Sequence, residues 1–156
     1  IDENPSRARD AITELSNILR SSMQAEKQET VPFERELNIV KDYLALEHIR
    51  FEDRLNVSYD IDEDTLDQPI PPMMLQTLVE NAIKHNKASE ENPLIIELYR
   101  NENTIFIKNK LNTIEKLNSS KLGNQYLKKH YKLMFNLDVI FTKTENEYCV
   151  AIPLIY

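Results

Sequence analysis

Leu78-Val79-Glu80-Asn81-Ala82-Ile83-Lys84-His85-Asn86 places a carboxylate, a carboxamide and a cation on one short amphipathic stretch. At helical spacing Leu75, Leu78, Val79, Ala82 and Ile83 share one stripe, while Thr77, Glu80, Asn81, Lys84 and His85 surround it. The stripe anchors a helix in a core and leaves the polar side to line a site. An Asn carbonyl is the hard oxygen ligand that magnesium takes, and a Lys ammonium is a point charge for phosphate oxygens. A neighbouring Glu can orient or deprotonate an attacking group. The set is therefore suited to a magnesium-bound triphosphate. A plainer reading stands level with it: Glu80 and Lys84 lie at i and i+4, where a solvated ion pair adds about 0.3–0.5 kcal/mol to a helix, and Asn81 is then an ordinary surface residue.

Outward from this helix, expected over Met73 to Asn86, the pattern alternates between the two regular periods. Upstream, Pro5 to Lys27 reads as a helix with an a/d-like seam through Ala8, Ile12, Leu15 and Leu19, behind the capping pair Asn4-Pro5. Phe33 to Phe51 reads as a second helix, carrying Leu37, Val40, Tyr43, Leu44 and Ile49. Leu55 to Ile61 alternates as a half-buried strand, and the acidic, proline-containing stretch from Asp62 to Pro72 is expected to be a loop. Downstream, Leu94 to Tyr99 and Thr104 to Lys108 form a hairpin across Asn101-Glu102-Asn103. Lys110 to Gly123 is polar and aperiodic, which predicts a long lid over a site. Asn124 to Phe135 is a helix, and strands from Val139 to Lys143 and Tyr148 to Leu154 close the chain. Locally paired strands with helices stacked on one face predict an α+β sandwich with a mixed, largely antiparallel sheet.

Composition narrows the function classes. A chain of 156 residues with 41% hydrophobic and 29% charged residues fits one compact domain plus an appendage. A net charge of −7 disfavours general affinity for nucleic acid or an anionic membrane, so a nucleotide would need local cations. Cys149, the one cysteine, sits in the apolar run from Tyr148 to Ile155 and reads as a core residue in a reducing cytosol. No apolar run approaches the roughly 18–20 residues that span a bilayer, so the chain reads as soluble as it stands. Gly occurs once and Pro seven times, sparse for tight phosphate-cradling turns.

Ile70-Pro71-Pro72, Leu75-Gln76 and Leu78 to His85 together resemble the N box of the LytS-type sensor histidine kinases. The resemblance extends to Asn4 to Met23 with its Leu15-Ser16-Asn17-Ile18-Leu19-Arg20 core, to Glu36 to Arg54, and to the closing Val150-Ala151-Ile152-Pro153-Leu154. It implies the Bergerat α/β sandwich of the GHKL ATPases, preceded by two N-terminal helices. Residues 1–30 would end a dimerisation and phosphoacceptor region, and residues 31–156 would be the ATP-binding catalytic domain. Asn81 would coordinate magnesium, Glu80 would assist phosphoryl transfer, and Lys84 and His85 would lie at the phosphates of ATP. The implied activity is transfer of the γ-phosphoryl group to a histidine upstream of Ile1, for relay to a response regulator. A homodimer through the N-terminal helices and a cytoplasmic position in a membrane sensor are implied with it.

Two places depart from the family pattern. Asn109 in Ile107-Lys108-Asn109-Lys110-Leu111 stands where the family has an Asp that receives the adenine amino group. A neutral acceptor in place of a charged one sacrifices about 1 kcal/mol. The second glycine box is reduced to Lys121-Leu122-Gly123-Asn124-Gln125-Tyr126, where Gly123 survives and Lys121 is either a substitute phosphate ligand or a solvated residue. The alternatives are thus a nucleotide-weak pseudokinase, or a dimerisation or interaction module with degenerate glycine boxes.

Overall fold

A computed structural model describes residues 8–13, 15, 29–84, 86–112 and 120–155, of which 120–123 are described in backbone only. Residues 8–13 are helical, inside the first expected helix, and the rest of that seam beyond Leu15 lies outside the described residues. The elements that follow are β1 (Val31–Pro32), α1 (Phe33–Phe51), β2 (Leu55–Asp60), α2 (Glu63–Leu66), β3 (Pro69–Ile70) and α3 (Met74–Lys84). Then come β4 (Leu94–Asn101), β5 (Thr104–Lys110), α4 (Ser120–Phe135), β6 (Ile140–Lys143) and β7 (Glu147–Pro153).

The α1 helix forms because Phe33, Glu36, Leu37, Val40, Leu44, Glu47 and Phe51 recur in steps of three and four and are all buried. Glu34 and Glu36 in its first turn and His48 and Arg50 in its last suit the helix dipole. The helix stops at Glu52, held at a left-handed φ of 52° with its N–H on the His48 carbonyl. Arg54 folds back and donates to the carbonyls of Phe51 and Arg50, both at 3.0 Å, pairing groups that a helix end leaves open.

The five-stranded sheet has the order β2-β4-β5-β7-β6. The β2–β4 pair is parallel, from Leu55 opposite Leu94 to Asp60 opposite Tyr99, and the other three pairs are antiparallel. A parallel pair needs a crossover, and here the crossover carries α3 over the sheet. Leu94, Ile96, Leu98, Ile105, Ile107, Val150 and Ile152 alternate onto one face and bury against Leu37, Val40 and Leu44 of α1, Leu75, Leu78 and Val79 of α3, and Tyr131 of α4. Each such aliphatic side chain contributes roughly 1.5–3 kcal/mol by leaving water. On the opposite face Tyr99 stacks on Phe106 at 5.1 Å, and Lys108 meets Glu147 at 3.0 Å and Glu97 at 3.7 Å. This is the expected α+β sandwich, mixed and largely antiparallel.

Two loop expectations are corrected. The stretch from Asp62 to Pro72 contains α2 and β3, because Thr65 is buried and accepts a hydrogen bond from Arg100 at 2.8 Å, while Pro69-Ile70 pairs with Val31-Pro32. The expected lid is also shorter than Lys110 to Gly123. Lys110 closes β5 opposite Glu147, and Ser120 to Gly123 form the first turn of α4, continuing a helix that Leu127 and Tyr131 anchor to the core. Residues 113–119 lie outside the described residues.

Candidate active site

The α3 helix is held at both ends by side chains from elsewhere. At its start Met73 takes a φ of 71°, and its N–H donates to Glu36 Oε1 of α1 at 2.9 Å. The amides of Leu75 and Gln76 also draw on this carboxylate, although Glu36 Oε2 makes no well-formed hydrogen bond among the described residues. Burial outweighs those three amides and pushes the Glu36 carboxyl above its ordinary range. At the other end Asn86 donates Nδ2 to the Ala82 carbonyl at 2.8 Å and accepts the Asn112 N–H at 3.1 Å on Oδ1. Asn112 in turn donates to the carbonyls of Asn92 and Pro93, so the end of α3 is clasped to the chain leaving β5.

Between these clamps Met74, Leu75, Gln76, Leu78, Val79, Ala82 and Ile83 are buried. Thr77, Glu80, Asn81 and Lys84 remain, at i, i+3, i+4 and i+7, on one side of the helix. They open onto a cavity of about 240 Å³ whose opposite wall is Tyr43, Glu47 and Arg50 of α1, with Arg9, Ile12 and Thr13 of the helical residues 8–13 closing a third side. Gln76 is 1% exposed and donates Nε2 to Glu80 Oε1 at 2.8 Å, which fixes the direction of that carboxylate. Arg50 donates both Nε (3.0 Å) and Nη2 (2.7 Å) to Glu47 Oε2. The Tyr43 hydroxyl donates to Glu47 as well. Burial first, and then the charges of Glu47 and Glu80, hold Tyr43 far above its ordinary range, so it acts as a neutral donor.

Among the described residues no group of three or more His, Cys, Asp or Glu side chains could cage a metal. Half-buried Asn81 on the cavity wall fits a different arrangement, in which magnesium takes one protein oxygen, keeps waters and is completed by substrate phosphates. The cavity thus brings Glu80, Asn81 and Lys84 together. Asn109 lies on β5, 3% exposed, donating Nδ2 to the Lys110 carbonyl at 3.2 Å, and is not part of the cavity wall. Lys121 and Gly123 belong to the first turn of α4, where Gly123 has no positive φ and so does not form a left-handed cradle turn. His85 lies outside the described residues. Cys149 is half-buried on β7, and burial pushes its thiol up, away from nucleophilic use.

Tyr43, Glu47 and Arg50 have no place in the sequence-based site, and Gln76 appears there only within a motif. A signal for Glu47 was present: like Glu36 it falls on the apolar stripe of α1, where a charge needs a partner from another element or from the same helix.

A family model described as histidine kinase matches residues 1–55. Sensor protein LytS of Staphylococcus saprophyticus subsp. saprophyticus is 38% identical over 103 residues, covering 65% of this chain and 17% of that protein. Sensor histidine kinase/phosphatase LytS of Staphylococcus aureus is 40% identical over 82 residues, covering 53% of this chain and 14% of that protein. This chain's relatives are LytS sensor histidine kinases. The chain spans about a sixth of the length of these LytS proteins, 17% and 14%. Among solved structures, the nucleotide-free catalytic domain of histidine kinase ThkA matches with a TM-score of 0.51 at 15% identity, covering 81% of this chain and 96% of that one. The cytoplasmic segment of histidine kinase QseC matches with a TM-score of 0.51 at 13% identity, covering 90% and 93%. At such identities the two structures establish the shared fold, that of histidine kinase catalytic domains.

Proposed function

We propose that this chain is the ATP-binding catalytic region of a two-component sensor histidine kinase, passing the γ-phosphoryl group of ATP to a histidine outside this chain for relay to a response regulator. The observation that carries the reading is the row Glu80, Asn81 and Lys84 opening on one cavity, in a chain whose relatives are LytS sensor kinases. In phosphoryl transfer the protein works chiefly by positioning and charge stabilisation. Lys84 supplies a cation to phosphate oxygens, and Glu80, aimed by Gln76, orients the attacking group. The Asn81 carbonyl would hold magnesium, which neutralises charge between the outer phosphates when bound. Residues 1–30 then end a dimerisation region that makes the protein a homodimer, and residues 31–156 form the catalytic domain. Among the described residues no helix is long and apolar enough to cross a membrane. A place on the cytoplasmic side of a membrane sensor fits the reading.

Calorimetric titration with ATP, with and without magnesium, tests it. The chain is expected to bind ATP more tightly with the metal, and Asn81→Ala to lose that difference. An Asn81→Ala protein that still responds fully to magnesium removes the metal assignment. A second reading, a nucleotide-weak pseudokinase, is favoured by Asn109, whose neutral amide spends a donor on the Lys110 carbonyl where the family resemblance implies a charged acceptor. Absence of binding heat at millimolar ATP decides for it.

A further inference from the structure

The cavity wall facing α3 is built like a ligand mount. Glu47 is 3% exposed, and its Oε2 takes two N–H groups from Arg50, one turn along α1, while the Tyr43 hydroxyl adds a third donor. A buried carboxylate that anchors one edge of a guanidinium fixes the plane of that group, which a solvated i,i+3 pair does not. Two of the five N–H donors of Arg50 are thus spent, and the others have no hydrogen-bond partner among the described residues. Arg50 keeps 25% of its side chain exposed and lines the same cavity as Asn81 and Lys84.

The chain carries a net charge of −7, yet this cavity gathers Arg9, Arg50 and Lys84, and of its two carboxylates Glu47 is taken up by Arg50 and Glu80 accepts from Gln76. A planar, permanently charged donor fork at such a place matches an oxyanion rather than a base or a sugar. Asn109, where the resemblance puts the adenine end, is absent from this wall, so the wall belongs to the far end of the nucleotide.

We propose that Arg50 of α1 is a further phosphate-binding residue, reading the terminal phosphate of a nucleoside triphosphate from the side opposite Asn81. The inference rests on the nucleotide reading above and extends it to a second helix. Glu47 and Tyr43 are positioning residues that hold the guanidinium ready, so the site discriminates triphosphate from diphosphate.

The test is calorimetric titration of the full 156-residue chain with ATP and with ADP, both with magnesium. Arg50→Met is expected to weaken ATP about tenfold or more and ADP less than about twofold, in line with losing one charged hydrogen-bonding pair. Arg50→Lys, which keeps the charge and loses the fork, should fall between. Because Arg50→Met strands a buried carboxylate, the double variant Glu47→Gln/Arg50→Met is measured too, with its melting curve taken without nucleotide. It should show the same ATP-selective loss in a folded protein. Equal weakening of ATP and ADP, or undiminished ATP affinity in the folded double variant, overturns the assignment of Arg50 and leaves the nucleotide site standing. A wild-type chain that binds neither nucleotide overturns both.

Discussion

Glu80 has its carboxylate aimed by a neighbour one turn earlier, and that neighbour is costly to bury. The Gln76 amide donates to Glu80 while its own Oε1 has no partner among the described residues, a loss of about 1–3 kcal/mol for a buried acceptor. Gln76→Met keeps the shape and removes both the donor and the orphaned oxygen, so the protein should melt at the wild-type temperature or above. With Glu80 no longer aimed, transfer of labelled γ-phosphate to a histidine-bearing acceptor is expected to slow about tenfold to a hundredfold, with ATP affinity nearly unchanged. Added to Glu80→Gln, the same substitution should cost nothing more, since both remove one interaction. Additive losses would mean that Gln76 acts elsewhere. Glu80, Asn81 and Lys84 were legible in the sequence because helical spacing alone puts them on one side of α3. Arg50 and Tyr43 were not, because they reach the same cavity only through the packing of α1 against α3.

The two helices that frame the site are joined by Glu36, which lies in the first turn of α1 and receives the start of α3. Burial raises its carboxyl above 4.5, so the folded state favours the protonated form more than the unfolded chain does. The sign follows directly: this contribution is complete below about pH 4.5 and is lost as pH rises through the raised value. Urea midpoints of wild type and Glu36→Gln should therefore diverge in favour of the variant from about pH 4.5 upward. A difference that stays constant across that range would show that the carboxylate ionises in place without penalty. Glu36→Ala, which leaves the Met73 N–H without its acceptor, is expected to lose about 1–3 kcal/mol below about pH 4.5 and less as pH rises. Strongly periodic elements such as α1 were readable to their end residues. The β1–β3 bridge was hidden by its prolines, and the start of α4 by residues with no apolar period of their own, so tertiary contact decided both.

Over the whole molecule, the crossover from β2 to β4 sets α3 against α1 and leaves the cavity between them closed on a third side by residues 8–13. The three histidines of the chain are His48, His85 and His130. His48 is exposed near the end of α1, His130 stacks against Tyr126 on α4 at 5.9 Å, and neither of these two lines the cavity. In-line transfer demands that the attacking nitrogen sit against the terminal phosphate, with reacting atoms about 3–3.5 Å apart. Incubated with γ-labelled ATP and magnesium, this chain alone is expected to take up no acid-labile, base-stable label. A helical segment carrying an acceptor histidine should become labelled when added, with the chain itself still unlabelled. Label on His48 or His130 would mean that the cavity between α1 and α3 is not where the terminal phosphate lies.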